Sequence, residues 1–175
     1  MAFQTIELIT EAFDQHHIKY KVVELENLSL IDAGYNITGG PTVRFHFLSQ
    51  SEENNDVQVR INGILHKVSK EKRPKVLEAC NRINSEMRFF KFYLDKDGTV
   101  FGQADLPAGT SDDRVGENSY ELFIRGIQIL DRCYHYFPEA YYSSHGSEKN
   151  ELLLNTLNAL QDLRDNPVTI PPEEQ

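Results

Sequence analysis

The apolar residues of this chain recur with two different periods, and the order of these periods predicts the fold. Four amphipathic helices are predicted where apolar residues recur every three to four positions, over residues 3–17, 70–86, 118–137 and 148–165. Five strands are predicted where apolar and polar residues alternate, over residues 18–26, 42–49, 57–65, 89–94 and 99–104. The resulting order is α-βββ-α-ββ-α, followed by a C-terminal amphipathic helix. We therefore expect an α+β fold in which helices pack on an antiparallel five-stranded sheet.

Two glycines decide how the predicted strands connect. Gly98 ends the turn 95–98 and can supply the positive φ that a hairpin turn needs. Gly63 allows two interpretations, a type I′ turn that starts a new strand or a bulge inside one strand that continues to Leu65. We favour the continued strand, because the next residues already lead into a helix. The turn 95–98 is not expected to bind calcium, since the glutamate of a calcium loop is replaced by Leu106.

The third predicted helix has an unusually wide apolar surface. Asn118 and Glu121 form a capping signal at its start, and Pro138 is expected to end it. The polar side chains form one narrow stripe, made of Glu121, Arg125, Gln128, Arg132 and His135. The apolar arc therefore covers roughly 200° of the helix, about twice what one sheet face can cover.

Such a helix must be buried on two sides. We assign one flank to the sheet: Phe123, Ile127, Leu130 and Tyr134. We assign the other flank to a second subunit or to the C-terminal segment: Leu122, Gly126, Ile129 and Cys133. Gly126 supports this assignment, since a glycine inside a helix costs about 1 kcal/mol and often permits another backbone to approach closely. The alternative is a helix at the centre of a monomeric core.

Length and charge limit the organisation of the protein and its partners. The 175 residues fit one α+β domain over residues 1–137, an extension with the fourth helix over 138–165, and a flexible tail over 166–175. The net charge of −9 opposes binding to nucleic acid or to a membrane surface. No basic, apolar signal sequence and no apolar run of roughly 18 residues occurs, so a cytoplasmic protein is expected.

The sequence contains no local motif typical of catalysis, of a metal site or of a cofactor site. Cys80 and Cys133 lie on apolar helix faces and are expected to be buried thiols. The six histidines lack the spacing of metal ligands, and no phosphate-binding loop or nucleophile elbow is present. One polar cluster could serve a small molecule: Arg44, His46 and Arg60 on neighbouring strands, with His66 nearby. A solvated sheet surface is the simpler interpretation.

The element order, together with several short motifs, resembles the YbjN-type family of bacterial sensory transduction regulators. The residues that carry the resemblance are Asn81-Arg82-Ile83-Asn84, the run 92–100 around Asp95-Lys96-Asp97-Gly98, and Asp105-Leu106. The resemblance covers about residues 6–137, and the family's fold is similar to that of the Tir-type chaperones of type III secretion. The segment after Pro138 departs from the family's minimal pattern.

The resemblance implies a non-enzymatic, dimeric protein without a cofactor, which binds other proteins through its sheet and helical surfaces. We accordingly expect a regulatory or chaperone-like binding module that acts as a homodimer on a protein partner or client. Two alternatives stay open. One is a small-molecule sensor or an enzyme that uses Arg44, His46 and Arg60. The other is a self-contained protein whose fourth helix occupies its own binding groove, packing in cis rather than swapping between subunits.

Overall fold

A six-stranded antiparallel sheet lies at the centre of the computed structural model, which describes residues 4–25, 28–49, 56–107 and 113–142. The strands are β1 (Tyr20–Leu25), β2 (Leu28–Asn36), β3 (Thr42–Ser49), β4 (Val57–Leu65), β5 (Lys91–Leu94) and β6 (Val100–Leu106). The helices are α1 (Gln4–Gln15), α2 (Arg73–Glu86), α3 (Val115–Cys133) and α4 (Tyr136–Tyr142). The strands lie in the order β1-β2-β3-β4-β6-β5. The α+β class and the antiparallel pairing are confirmed.

The predicted number of five strands is wrong, because β2 was missed. Its buried residues include Ser29 and Ala33, whereas Leu30 lies on the opposite, more exposed face. Small or polar residues on the inner face and a leucine on the outer face remove the alternation that identifies a half-buried strand. The strand is specified instead by its pairing with β1 and β3.

Phenylalanines of the central strand join the helices to one face of the sheet. Phe47 of β3 packs edge-on against Phe13 of α1, with ring centroids 5.2 Å apart. Phe45 packs in the same way against Phe123 of α3 at 4.9 Å. Phe13 and Phe123 also contact each other at 5.7 Å, so the two helices lie side by side over β3. Each side chain is almost fully buried and removes a large apolar area from water.

Both glycine predictions, for the bulge in β4 and for the turn between β5 and β6, are confirmed. Gly63 has φ +90° and lies inside β4, where the pairing with β6 shifts register between Ile61 and Leu65. Gly98 has φ +83°, and a Cβ there would lie 2.7 Å from the carbonyl oxygen of Val68. Any other residue at position 98 would therefore strain both the turn and the neighbouring segment.

The ends of the third helix differ from the prediction. α3 begins at Val115 rather than at Asn118, whose backbone N–H already donates to the carbonyl of Arg114 in the first helical turn. It ends at Cys133, and Pro138 lies inside α4. A proline in the first turn of a helix removes only an N–H that has no partner within the helix. Pro138 therefore does not end α3. The five residues of the polar stripe are all exposed, as predicted.

The outer edge of β5 is closed by a side chain of α2. The amide of Asn84 accepts a hydrogen bond from the N–H of Phe92 (2.7 Å) and donates one to its carbonyl oxygen (2.9 Å), as a neighbouring strand would. Lys91 donates to the carbonyl oxygens of Asn84 and Met87 at the end of the same helix (2.8 and 2.6 Å). Asn84 belongs to one of the motifs that carry the family resemblance.

The predicted helix 148–165 and the tail 166–175 lie outside the described residues.

Candidate functional site: the polar face of the sheet

The strand register aligns polar side chains in one row across the sheet. Directly opposed pairs place Lys21 beside Asp32, Asp32 beside His46, His46 beside Arg60, and Arg60 beside Gln103. Opposed residues of antiparallel strands point to the same side of a sheet, which here is the side away from Phe45 and Phe47. We call this side, defined by Lys21, Asp32, His46, Arg60 and Gln103, the polar face.

Asp32 is the centre of a hydrogen-bonded network on this face. Arg44 donates from Nε to Oδ1 of Asp32 at 2.7 Å and from Nη2 to Oδ2, which makes a bidentate pair. The hydrogen bonds from Arg44 lower the pKa of Asp32 against the opposing effect of partial burial. The same pair raises the pKa of Arg44. Arg44 and Asp32 are therefore both charged at neutral pH and largely cancel each other's charge.

The neighbouring histidine is oriented from two sides. Asn62 lies with its Nδ2 3.1 Å from Nδ1 of His46, and Oδ1 of Asp32 lies 3.4 Å from Nε2. Nδ1 of the imidazole thus faces the Asn62 amide, and Nε2 faces the Asp32 carboxylate. His46 is about one-third exposed, and Asp32 about one-fifth. The network is thus ordered and still reaches solvent.

Aromatic side chains continue the polar face toward β5. The guanidinium of Arg60 lies 4.1 Å above the ring of Phe101, and Tyr93 stacks beside that ring at 5.5 Å. The Nε of Arg60 is buried and has no hydrogen-bond partner in the part of the chain that the structure describes. Tyr93 is 46% exposed. This end of the face offers a cation and an accessible aromatic ring.

The structure brings together three of the four residues of the predicted polar cluster. Arg44, His46 and Arg60 share the face, whereas His66 lies beyond the end of β4 and is exposed. Sequence reasoning does not include Asp32, because β2 itself is missed, and it does not assign Asn62 to the cluster although it places that residue in a continued strand. The cluster could have been completed from sequence only by recognising that Asp32 lies opposite His46.

The apolar residues assigned to a subunit or C-terminal contact are buried within the chain. Leu122, Gly126, Ile129 and Cys133 are all inaccessible or nearly so. A Cβ at Gly126 would lie 2.5 Å from Cε1 of Phe45 and 3.2 Å from Cε2 of Phe90. The close approach at Gly126 is therefore to the protein's own sheet and not to a second subunit or the C-terminal segment. For Leu122, Ile129 and Cys133 the assignment to a second subunit or the C-terminal segment stays a prediction.

The thiols and the acidic turn have structural roles. Cys80 and Cys133 are free and buried, as predicted, and desolvation raises the pKa of Cys80 to about 11 and also raises that of Cys133. The carboxylate of Asp95 accepts hydrogen bonds from the N–H groups of Asp97 (2.9 Å) and Thr99 (2.8 Å), which lower its pKa. Among the described residues, no group of three or more His, Cys, Asp or Glu side chains could hold a metal ion.

Comparison with known proteins agrees with the resemblance found in the sequence. None of the described helices combines the length and the apolar character needed to cross a membrane. No curated protein matches the chain significantly. The family described as "YbjN: Putative bacterial sensory transduction regulator" matches residues 5–139, from the first turn of α1 to the middle of α4. With that match extending over most of its length, the chain belongs to the YbjN family.

Proposed function

We propose that the protein is a non-enzymatic regulatory module that binds a protein partner through the polar face. The observation that carries this proposal is the network of Asp32, Arg44, His46 and Asn62. These side chains are held by one another and remain partly exposed. Side chains that are already ordered lose less conformational entropy on binding, so more of their contact energy appears as affinity.

The dimensions of the face suit a protein partner. Six strands about 4.8 Å apart give a width of roughly 24 Å, and strands that average about seven residues have a length of roughly 24 Å. The product, on the order of 570 Å², is about seven-tenths of the roughly 800 Å² that each partner contributes to a standard interface. Arg60 and the half-exposed Tyr93 are of the residue types that most often dominate the binding energy of interfaces.

We further propose that two copies associate through the edge strand β1. In the described part of the chain, β1 has a strand neighbour on one side only, β2. Val22 and Val23, on opposite faces of β1, are 41% and 38% exposed. Pairing with the same strand of a second copy would extend the sheet across the two copies and cover both valines. This replaces the helix contact expected from the sequence.

Affinity capture from a native lysate tests the role of the polar face. Full-length wild type is compared with a double variant, Lys21→Glu/Tyr93→Ala, which changes the polar face at both ends, on β1 and on β5. The matched control, Lys70→Glu/Leu77→Ala, combines the same charge reversal with a comparable truncation of an exposed apolar side chain in the 70–86 region. We expect one or two stoichiometric proteins to be retained by wild type and control and lost by the polar-face variant.

Two outcomes contradict the proposal. Equal retention by the polar-face variant would place the binding surface elsewhere. If no form retains a protein, the small-molecule alternative becomes the better explanation, and metabolites are then screened for binding that depends on Arg60.

The dimer is tested separately by light scattering, where Val22→Lys/Val23→Lys should yield a monomer at concentrations at which wild type is a dimer.

A further inference from the structure

A second surface, remote in sequence from the polar face, lies where α3 meets the end of α2. Two adjoining hollows of 330 and 280 Å³ share Arg125 and Gln128. Together they extend from Tyr120 to Arg132, which are twelve positions and about 18 Å apart along the helix. We call this surface, defined by Arg88, Phe89, Arg125, Ile129 and Arg132, the arginine groove.

The groove has guanidinium groups without carboxylate partners, although the chain as a whole carries a charge of −9. Two glutamates line it and are engaged: Glu121 lies 3.2 Å from Arg125, and Glu86 lies 3.8 Å from Arg82. Arg88 and Arg132 form no ion pair within the described ranges. Two positive charges are therefore available to an anionic ligand at one end of the groove.

An exposed aromatic ring lies among these arginines. Phe89 is 49% exposed, and the guanidinium of Arg125 lies 4.7 Å from its ring centroid. The neighbouring Arg82 is held in the same way, 4.1 Å from the ring of Tyr136. Cation–π contacts of this kind restrict the guanidiniums without neutralising them. A ligand can thus bury an apolar group on Phe89 while its carboxylates meet Arg88 and Arg132.

We propose that the arginine groove binds an acidic amphipathic helix of a partner protein. The length and openness of the groove fit about three turns of helix, in which Glu or Asp alternates with apolar anchors at i, i+3 and i+4. A small anion would leave most of the groove and the ring of Phe89 uncovered. A nucleic acid is disfavoured, since two free guanidiniums on an acidic protein release few counterions. The inference rests on the proposed function only in that the partner is a protein.

Fluorescence anisotropy with synthetic peptides tests the inference on the full chain. The probe is a labelled helical peptide of about twelve residues with Glu on one face and Leu and Phe on the other. Its counterpart carries Lys in place of every Glu. The charge-reversal variant is Arg88→Glu/Arg132→Glu, and the matched control is Lys19→Glu/Lys70→Glu, which makes the same change in net charge at exposed positions elsewhere.

We expect wild type and control to bind the Glu peptide and not the Lys peptide. The charge-reversal variant should bind the Glu peptide at least about tenfold more weakly, and the wild-type affinity should fall as salt is raised to about 0.15 M. A Phe89→Ala variant should also lose affinity, through a loss that salt does not change, because the contact removed is apolar.

The inference is overturned if wild type does not distinguish the peptides or if charge reversal leaves binding unchanged. It is also overturned if inorganic phosphate at millimolar concentration displaces the peptide fully, which would indicate a small-anion site, or if single-stranded RNA binds more tightly than the peptide. The two proposals remain distinguishable. A partner that is captured through the polar face while the Glu peptide fails to bind refutes the groove and leaves the proposed function intact.

Discussion

The substitution Gly126→Ala should destabilise the protein, although alanine is the better helix former. In an open helix the exchange would stabilise by about 1 kcal/mol. Here the added Cβ would lie 2.5 Å from Cε1 of Phe45, a fully buried ring that packs against Phe123 and Phe90. Forcing extra volume into a packed core costs about 1–3 kcal/mol. The balance is a net loss of up to about 2 kcal/mol.

Thermal and urea unfolding followed by circular dichroism measure this balance. For a chain of this size a loss of 1 kcal/mol lowers the Tm by about 2–4 °C, whereas an unhindered alanine would raise it by a similar amount. Whether the Tm falls or rises therefore shows whether the space beside Gly126 is filled or open. Gln128→Ala, at an exposed position of the same helix, is the control for helix propensity and should change the Tm little.

The same substitution in a Phe45→Leu variant tests whether the ring of Phe45 causes the destabilisation. In Phe45→Leu, which is itself destabilised, Gly126→Ala should become neutral or stabilising because the opposing ring is gone. The coupling between the two positions should be about 1–2 kcal/mol. The reasoning is refuted if Gly126→Ala raises the Tm of wild type, or if it has the same effect in both backgrounds. A destabilisation that depends on protein concentration would restore the intermolecular role of Gly126.

Three further predictions concern other parts of the fold. Asn84→Ala should cost about 1–3 kcal/mol in urea unfolding, because it leaves the N–H and carbonyl of Phe92 unpaired, and amide exchange at Phe92 should speed up; unchanged exchange would contradict the edge contact. Asp32→Asn should cost about 0.5–1 kcal/mol at pH 7, since Arg44 loses its charged partner. Because folding lowers the pKa of Asp32 from its ordinary 3.8, the stability that its ionised carboxylate contributes is present above pH 3.8 and is lost as the pH falls through the folded pKa. The free energies of unfolding of wild type and Asp32→Asn should therefore converge in acid, and a difference that persists would refute this reasoning. With its pKa raised to about 11, Cys80 should react with a disulfide reagent at pH 8 at least about a hundredfold more slowly than free cysteine, and fast labelling of the native protein would count against burial.

Periodicity predicted those parts of the fold in which burial follows polarity. The polar stripe of α3, from Glu121 to His135, is exposed, and Phe45 and Phe47 of β3 face the helices. The prediction failed for β2, where Ser29 is buried and Leu30 is not. The strand's position is determined by its neighbours, which no local pattern contains.

At the candidate surfaces, too, local sequence patterns do not identify the neighbouring element. Arg44, His46 and Arg60 could be placed on one face by counting residues along two strands, but the carboxylate that contacts Arg44 and His46 comes from a third strand. Gly126 was correctly recognised as a site of close approach, and its partner was not, because spacing along a helix does not say which neighbour lies opposite.

The amide of Asn84 has a consequence for assembly. A sheet with two free edges can add chains at both ends without limit, which is the geometry of a fibre. Asn84 covers the edge at β5, so among the described strands β1 is left as the edge at which a further strand could pair. The strand pairing proposed above would use this edge of both copies and would stop at two chains. One asparagine side chain would thus make the difference between a closed pair and open-ended polymerisation.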